Sequence, residues 1–184
     1  IGHEFLRNNN IVLDYETETL HDSTGSKEVN PEDYEFLFPM SFGLNQYNIP
    51  VVGLVYGDKK YLLVADSGAN DTVITKHLMD EAGICVKHLG NDGTLTCFST
   101  DTLETSLYDV TLSIFSLGGT SECPKLYTKY DKAQVISNCQ HIMEGLKDAD
   151  GNDIMPVSGL LSSEFMHRNK WVLDFGTCVM YQRK

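Results

Sequence analysis

The residue best placed to do chemistry in these 184 residues is Asp66, in the stretch Lys60-Tyr-Leu-Leu-Val-Ala-Asp66-Ser67-Gly68-Ala69. An apolar run delivers this carboxylate directly into a turn of small residues, and a second apolar pair, Val73-Ile74, follows at once. The strand behind shields the carboxylate from bulk water, and Gly68 and Ala69 permit the tight loop that presents it. Such a placement makes sense when a second carboxylate comes close enough to share a proton with the first. No second Asp-Ser-Gly or Asp-Thr-Gly turn occurs in the sequence, so the site is expected to be completed from outside this chain. Asp22-Ser-Thr-Gly25 imitates the turn but carries an extra residue and lacks an apolar strand before it; it reads as linker. Taken alone, Asp66 could equally be a turn aspartate capping backbone N–H groups.

The elements that must position this turn are mostly short strands. Residues 11–15, 34–42, 50–56 and 60–65 read as strands, the last two joined by a hairpin turn at Gly57-Asp58. Residues 75–82 read as a helix stopped by Gly83. Residues 84–88 and 94–98 flank Leu89-Gly-Asn-Asp-Gly93, a second hairpin signal. Residues 107–117 alternate cleanly and turn Tyr108, Val110, Leu112 and Ile114 toward a core. Weaker strands are read at 125–130 and 134–137, a helix at 162–169, and closing strands at 171–175 and 178–181. Many short strands with only brief helices predict an all-β domain.

One internal similarity bears on domain organisation. Glu4-Phe-Leu-Arg-Asn-Asn-Asn-Ile-Val-Leu-Asp-Tyr15 aligns without a gap on Glu164-Phe-Met-His-Arg-Asn-Lys-Trp-Val-Leu-Asp-Phe175, with six identities in twelve positions at an offset of 160 residues. The same closing unit thus stands at both ends. Residues 1–20 are therefore expected to be the tail of a preceding, related domain, 21–33 a polar linker, and 34–184 the domain proper. Asp14 and Asp174, at matching positions, read as structural.

Composition excludes several classes. With 26 acidic against 14 basic residues the formal charge is -12, and no basic stripe stands out to neutralise phosphates, which argues against nucleic acid or anionic membrane as a partner. The longest apolar runs fall far short of a membrane span. Five cysteines, Cys85, Cys97, Cys123, Cys139 and Cys178, include no Cys-x-x-Cys pair and read as reduced. Asp148-Ala-Asp-Gly-Asn-Asp153 resembles part of a calcium loop, but position 159 is glycine where the loop needs glutamate, so it reads as a turn. His77, His88, His141 and His167 lack metal-ligand spacing, and no serine or cysteine sits in a nucleophile-elbow context.

In this order and spacing the motifs resemble those of the retropepsin-like aspartic proteases, the bacterial members above all. The residues that carry the resemblance are Leu63-Val-Ala-Asp66-Ser67-Gly68-Ala69-Asn-Asp-Thr-Val-Ile74 and, later, Gly159-Leu-Leu-Ser-Ser-Glu-Phe-Met166 with Trp171-Val-Leu-Asp-Phe175; it spans residues 48–181. It implies a closed β-barrel lobe with one or two short helices and Asp66 as the catalytic aspartate of one lobe. Ser67 would tie two active-site loops together through its hydroxyl, Gly68 and Ala69 would complete the loop, and Leu160, Leu161 and Ser162 would pack behind it. The family has glycine where this chain has Ser162. Gly90, Asn91, Asp92 and Gly93 would form the tip of a mobile flap.

The implied activity is hydrolysis of peptide bonds. Two carboxylates about 3 Å apart hold one proton between them; the ionised member takes a proton from water while the protonated member polarises the peptide carbonyl. Neither metal nor cofactor enters this scheme. The implied partners are an extended peptide or protein substrate and, to supply the second aspartate, either a second copy in a homodimer or an upstream protease-like lobe. The alternative is a catalytically inactive peptide-binding or assembly domain on the same fold.

Overall fold

The apolar run before Asp66 becomes one stave of a barrel. A computed structural model describes residues 2–23, 30–40, 49–96, 102–118, 125–137, 142–147 and 153–184. In chain order the elements are α1 (His3–Asn8), β1 (Ile11–Asp14), β2 (Thr19–Asp22), a 3-10 turn (Pro31–Asp33), β3 (Tyr34–Pro39), β4 (Val51–Tyr56), β5 (Lys59–Ala65), β6 (Thr72–Thr75) and α2 (Lys76–Ala82). There follow β7 (Cys85–Thr96), β8 (Thr102–Ser116), β9 (Lys125–Ile136), β10 (Met143–Lys147), β11 (Asp153–Leu161), α3 (Ser163–Arg168), β12 (Val172–Asp174) and β13 (Val179–Arg183).

Six of these strands close on one another. β4 and β5 form a hairpin turning at Gly57, whose φ of 63° suits glycine. β5 runs parallel to β11, and β11 pairs antiparallel with β6. β6 runs parallel to β9, β9 pairs antiparallel with β8, and Leu54 of β4 opposite Ile114 of β8 completes the ring. The alternation expected along residues 107–117 fills the barrel: Val110, Leu112 and Ile114 are fully buried, together with Leu54, Leu63, Ile74 and Leu161. β10 and β7 extend the sheet outside the ring, on β11 and β8.

Two expectations are corrected here. The hairpin read at Leu89–Gly93 does not form, because the chain continues through it as the single strand β7 along β8. Pairing over this length overrides the turn signal, and the glycines appear as register shifts at Gly90 and Gly93, with Gly90 at φ 80°. The strands read at 125–130 and 134–137 are likewise one strand, β9. Among the described residues there are three short α-helices, α2 and α3 in residues 34–184 and α1 in the front unit. Residues 24–29 of the expected linker, Cys97, Cys123, Cys139 and most of the 148–153 turn lie outside the described residues. Cys85 and Cys178 are free thiols.

A second sheet, in the order β2-β1-β12-β13-β3, joins the two ends of the chain. Its centre is the repeated unit paired with itself. Leu13 stands opposite Leu173, its own equivalent, so a local two-fold axis passes between them. Tyr15 N–H donates to the Trp171 carbonyl at 3.0 Å, and Phe175 N–H donates to the Ile11 carbonyl at 3.1 Å. The local geometry repeats at the same offset. Asn10 and Lys170 have φ of 51° and 54°, Glu18 and Cys178 both 56°. Asp14 Oδ1 accepts the N–H groups of Glu16 and Thr17, as Asp174 Oδ1 accepts those of Gly176 and Thr177. Both aspartates therefore pin turns, the structural work read for them. The C-terminal copy sits on the barrel through Phe165, Met166 and Trp171, all fully buried, with Trp171 stacked on Phe36 at 4.5 Å between ring centroids.

Candidate active site

β5 ends at Ala65, and the next residue, Asp66, donates its N–H to the Leu161 carbonyl at 3.0 Å. This bond continues the parallel register in which Ala65 faces Leu161. Asp66 Oδ1 accepts the Gly68 N–H at 2.8 Å, and the Asp66 carbonyl accepts the Ala69 N–H at 3.3 Å. A Cβ on Gly68 would lie only 3.3 Å from Oδ1, so the absent side chain lets backbone and carboxylate approach. At its far side the loop is held by Ser163, whose N–H and hydroxyl both donate to the Ala69 carbonyl at 2.8 Å. The carboxylate is half-buried, and among the described residues its Oδ2 accepts no hydrogen bond. Ser67 is exposed, and among the described residues its hydroxyl meets no second loop to tie.

The loop is braced by β11, which runs between β5 and β6, the strands that lead into and out of it. Leu160 faces Val64 on one side and Val73 on the other; Leu161 is fully buried beside Ala65. Gly159 makes the approach possible. A Cβ there would meet Leu63 Cδ2 at 2.5 Å and the Val73 carbonyl at 2.7 Å. Ser162 is the N-cap of α3, its hydroxyl accepting the Phe165 N–H at 3.0 Å. Serine suits that position better than glycine, which explains the departure noted in the sequence. Its counterpart in the front copy, Gly2, caps α1 without a side-chain bond.

Behind the loop lies a polar cluster that sequence reading missed. The buried Thr72 hydroxyl donates to Asp131 Oδ2 at 2.6 Å and lies 3.3 Å from the Ser162 hydroxyl, while Arg168 from α3 pairs with Asp131 Oδ1. It links β6, β9 and α3 just beyond Asp66. No spacing signalled it, because its members lie far apart along the chain. Gly159 did carry a signal, a glycine inside an apolar strand, which marks close backbone approach.

Tyr15 belongs to the front copy yet lies within electrostatic reach of Asp66: burial raises its phenol above the ordinary tyrosine value, and the Asp66 charge adds to the rise. It also lines, with Leu13, Asp14, Leu20 and His167, an open cleft of about 450 Å³. Gly90, Asn91, Asp92 and Gly93 lie along β7, not at a hairpin tip; residues 97–101, between β7 and β8, lie outside the described residues.

No protein-family model and no curated protein matches the sequence. Among solved structures it resembles a retropepsin-like aspartic protease from Rickettsia conorii, with 20% identity over 83% of this chain and 98% of that one and a TM-score of 0.40. It also resembles the retroviral protease-like domain of Ddi1 from Leishmania major, with 12% identity over 67% of this chain and 78% of that one and a TM-score of 0.37. The resemblance is distant and extends to the general arrangement of strands. No helix among the described residues is long and apolar enough to cross a membrane, and no cluster of three or more His, Cys, Asp and Glu among them is placed to hold a metal ion.

Proposed function

We propose that the protein is one half of an aspartic endopeptidase in which Asp66 supplies one of two carboxylates. The observation that carries this reading is the Asp66 loop: a carboxylate at the mouth of a closed barrel, braced by Leu161, Gly68 and Ser163, with one oxygen engaged and the other without a partner among the described residues. A carboxylate that merely capped its own turn would need neither β11 threaded between the strands on either side nor the glycine that admits it. Facing a second such group, Asp66 would share one proton. The ionised member would deprotonate water, and the protonated member would polarise the peptide carbonyl and then assist departure of the amine. Ser67 would bond to the opposing loop.

The test is Asp66→Asn in the assembled enzyme. Cleavage of an extended, largely apolar peptide should fall by at least about 10³-fold, since a single remaining carboxylate cannot be ionised base and protonated acid at once, while binding of the same peptide is retained. Cleavage at the wild-type rate would remove Asp66 from the chemistry. Peptide binding insensitive to D66N, with no cleavage by either form between about pH 3 and 7, would identify the inactive peptide-binding alternative.

A further inference from the structure

The two copies of the closing unit are alike in backbone but differ sharply in burial at two apolar positions. Phe165 is fully buried beneath the barrel, whereas its equivalent Phe5 is 54% exposed; Met180 is fully buried, whereas its equivalent Leu20 is 64% exposed. Nothing in the local fold explains the difference, since α1 and α3 have matching bounds at the 160-residue offset and the turns after β1 and β12 repeat. The difference lies in what each copy packs against. α3, β12 and β13 carry a barrel on their apolar face, and β3 pairs along the outer edge of β13. In the front copy Leu6 and Val12 are buried, but α1 and β2 leave Phe5 and Leu20 facing outward, and β2 ends the sheet among the described residues.

We infer that Asp66 receives its partner carboxylate from a second β-barrel lobe, preceding residue 3 in the same polypeptide and seated on Phe5 and Leu20, and not from a second copy of this chain. The inference rests on the protease reading and names that site's partner. Rotation about the Leu13–Leu173 axis carries α3 onto α1, and the barrel on α3 onto the exposed face of α1. The residue equivalent to Asp66 would then abut the chain just before Gly2, as Asp66 abuts Leu161 just before Ser162. Tyr15, a front-copy residue in electrostatic reach of Asp66, places that loop on the side facing the axis. A homodimer built on β12 would meet an occupied strand, because β1 and β13 already fill both its edges. The incoming lobe would also supply the equivalent of β3 to the free edge of β2, giving a symmetric six-stranded sheet.

The experiment uses the Asp66→Asn background, so that its outcome is independent of catalysis. The 184-residue chain should sediment as a monomer to about 100 µM, and Phe5→Asp with Leu20→Asp should leave its melting temperature unchanged. In the polypeptide extended upstream by about 160 residues, the same pair should lower the melting temperature by about 5 °C or more and expose the lobe interface to limited proteolysis. A dimer of the 184-residue chain that the two substitutions dissociate would overturn the inference, as would their having no effect in the extended polypeptide. Failure of the D66N activity test would leave these results standing and would instead remove the protease reading.

Discussion

With its carboxylate accepting the Gly68 amide and its own N–H donating to the Leu161 carbonyl, Asp66 is oriented before any partner arrives, which is what a shared-proton pair requires of each member. The residue that makes this possible is Gly159, which lies one strand away. Gly159→Ala would push a Cβ into Leu63 and the Val73 backbone, wedging apart the strands that enter and leave the Asp66 loop. A loss of about 2–3 kcal/mol in unfolding free energy is expected, measured by urea denaturation. Ser162→Gly removes the cap hydroxyl and its contact with Thr72 and should cost only about 1 kcal/mol; costs in the reverse order would mean β11 does not set the loop. Asp14 offers a pH-dependent counterpart. Burial would raise its carboxyl, but the Thr17 amide, Arg183 and the Glu16 amide outweigh that and hold it below its ordinary value of 3.8. Its folded pKa is depressed, so its contribution is present above the unfolded value and lost as pH falls through the folded one. Asp14→Asn, which keeps the amide acceptor but loses the charge, should therefore be less stable than wild type near pH 6. The gap in urea midpoint should close below about pH 3.8. A constant gap would mean the charge on Asp14 does not matter.

At the scale of elements, what was legible in the sequence was what local pattern encodes. The buried face of β8, the β4–β5 hairpin with Gly57, α2 with its Gly83 stop, and the capped α3 all follow from alternation and terminal residues. The long strands were read as broken. β7 crosses Gly90–Gly93 and β9 crosses Asp131 because their partner β8 supplies a continuous ladder, a tertiary effect that no window along one strand contains. β2 was not read as a strand, because Thr19-Leu-His-Asp22 holds a single apolar residue and straddles the boundary drawn between tail and linker. The Asp66 loop was legible because one short segment holds it. The Thr72–Asp131–Arg168 cluster was not, because its residues converge only once β6 lies against β9.

For the whole molecule, an acidic chain whose ends meet in one sheet ties the fate of its first residues to its last. Unfolding should accordingly be a single cooperative transition in which residues 3–22 and the barrel lose structure together, seen as coincident near- and far-ultraviolet signals; early loss of the front unit alone would contradict it. The same sheet holds one further asymmetry. Tyr15 and Phe175 stand at equivalent places and make equivalent backbone bonds, yet differ by one hydroxyl. A cleft of true two-fold symmetry offers a substrate the same walls from either direction. Here a phenol within reach of Asp66 answers to a phenyl ring buried in the core, so the two halves of the sheet are chemically unequal at this pair.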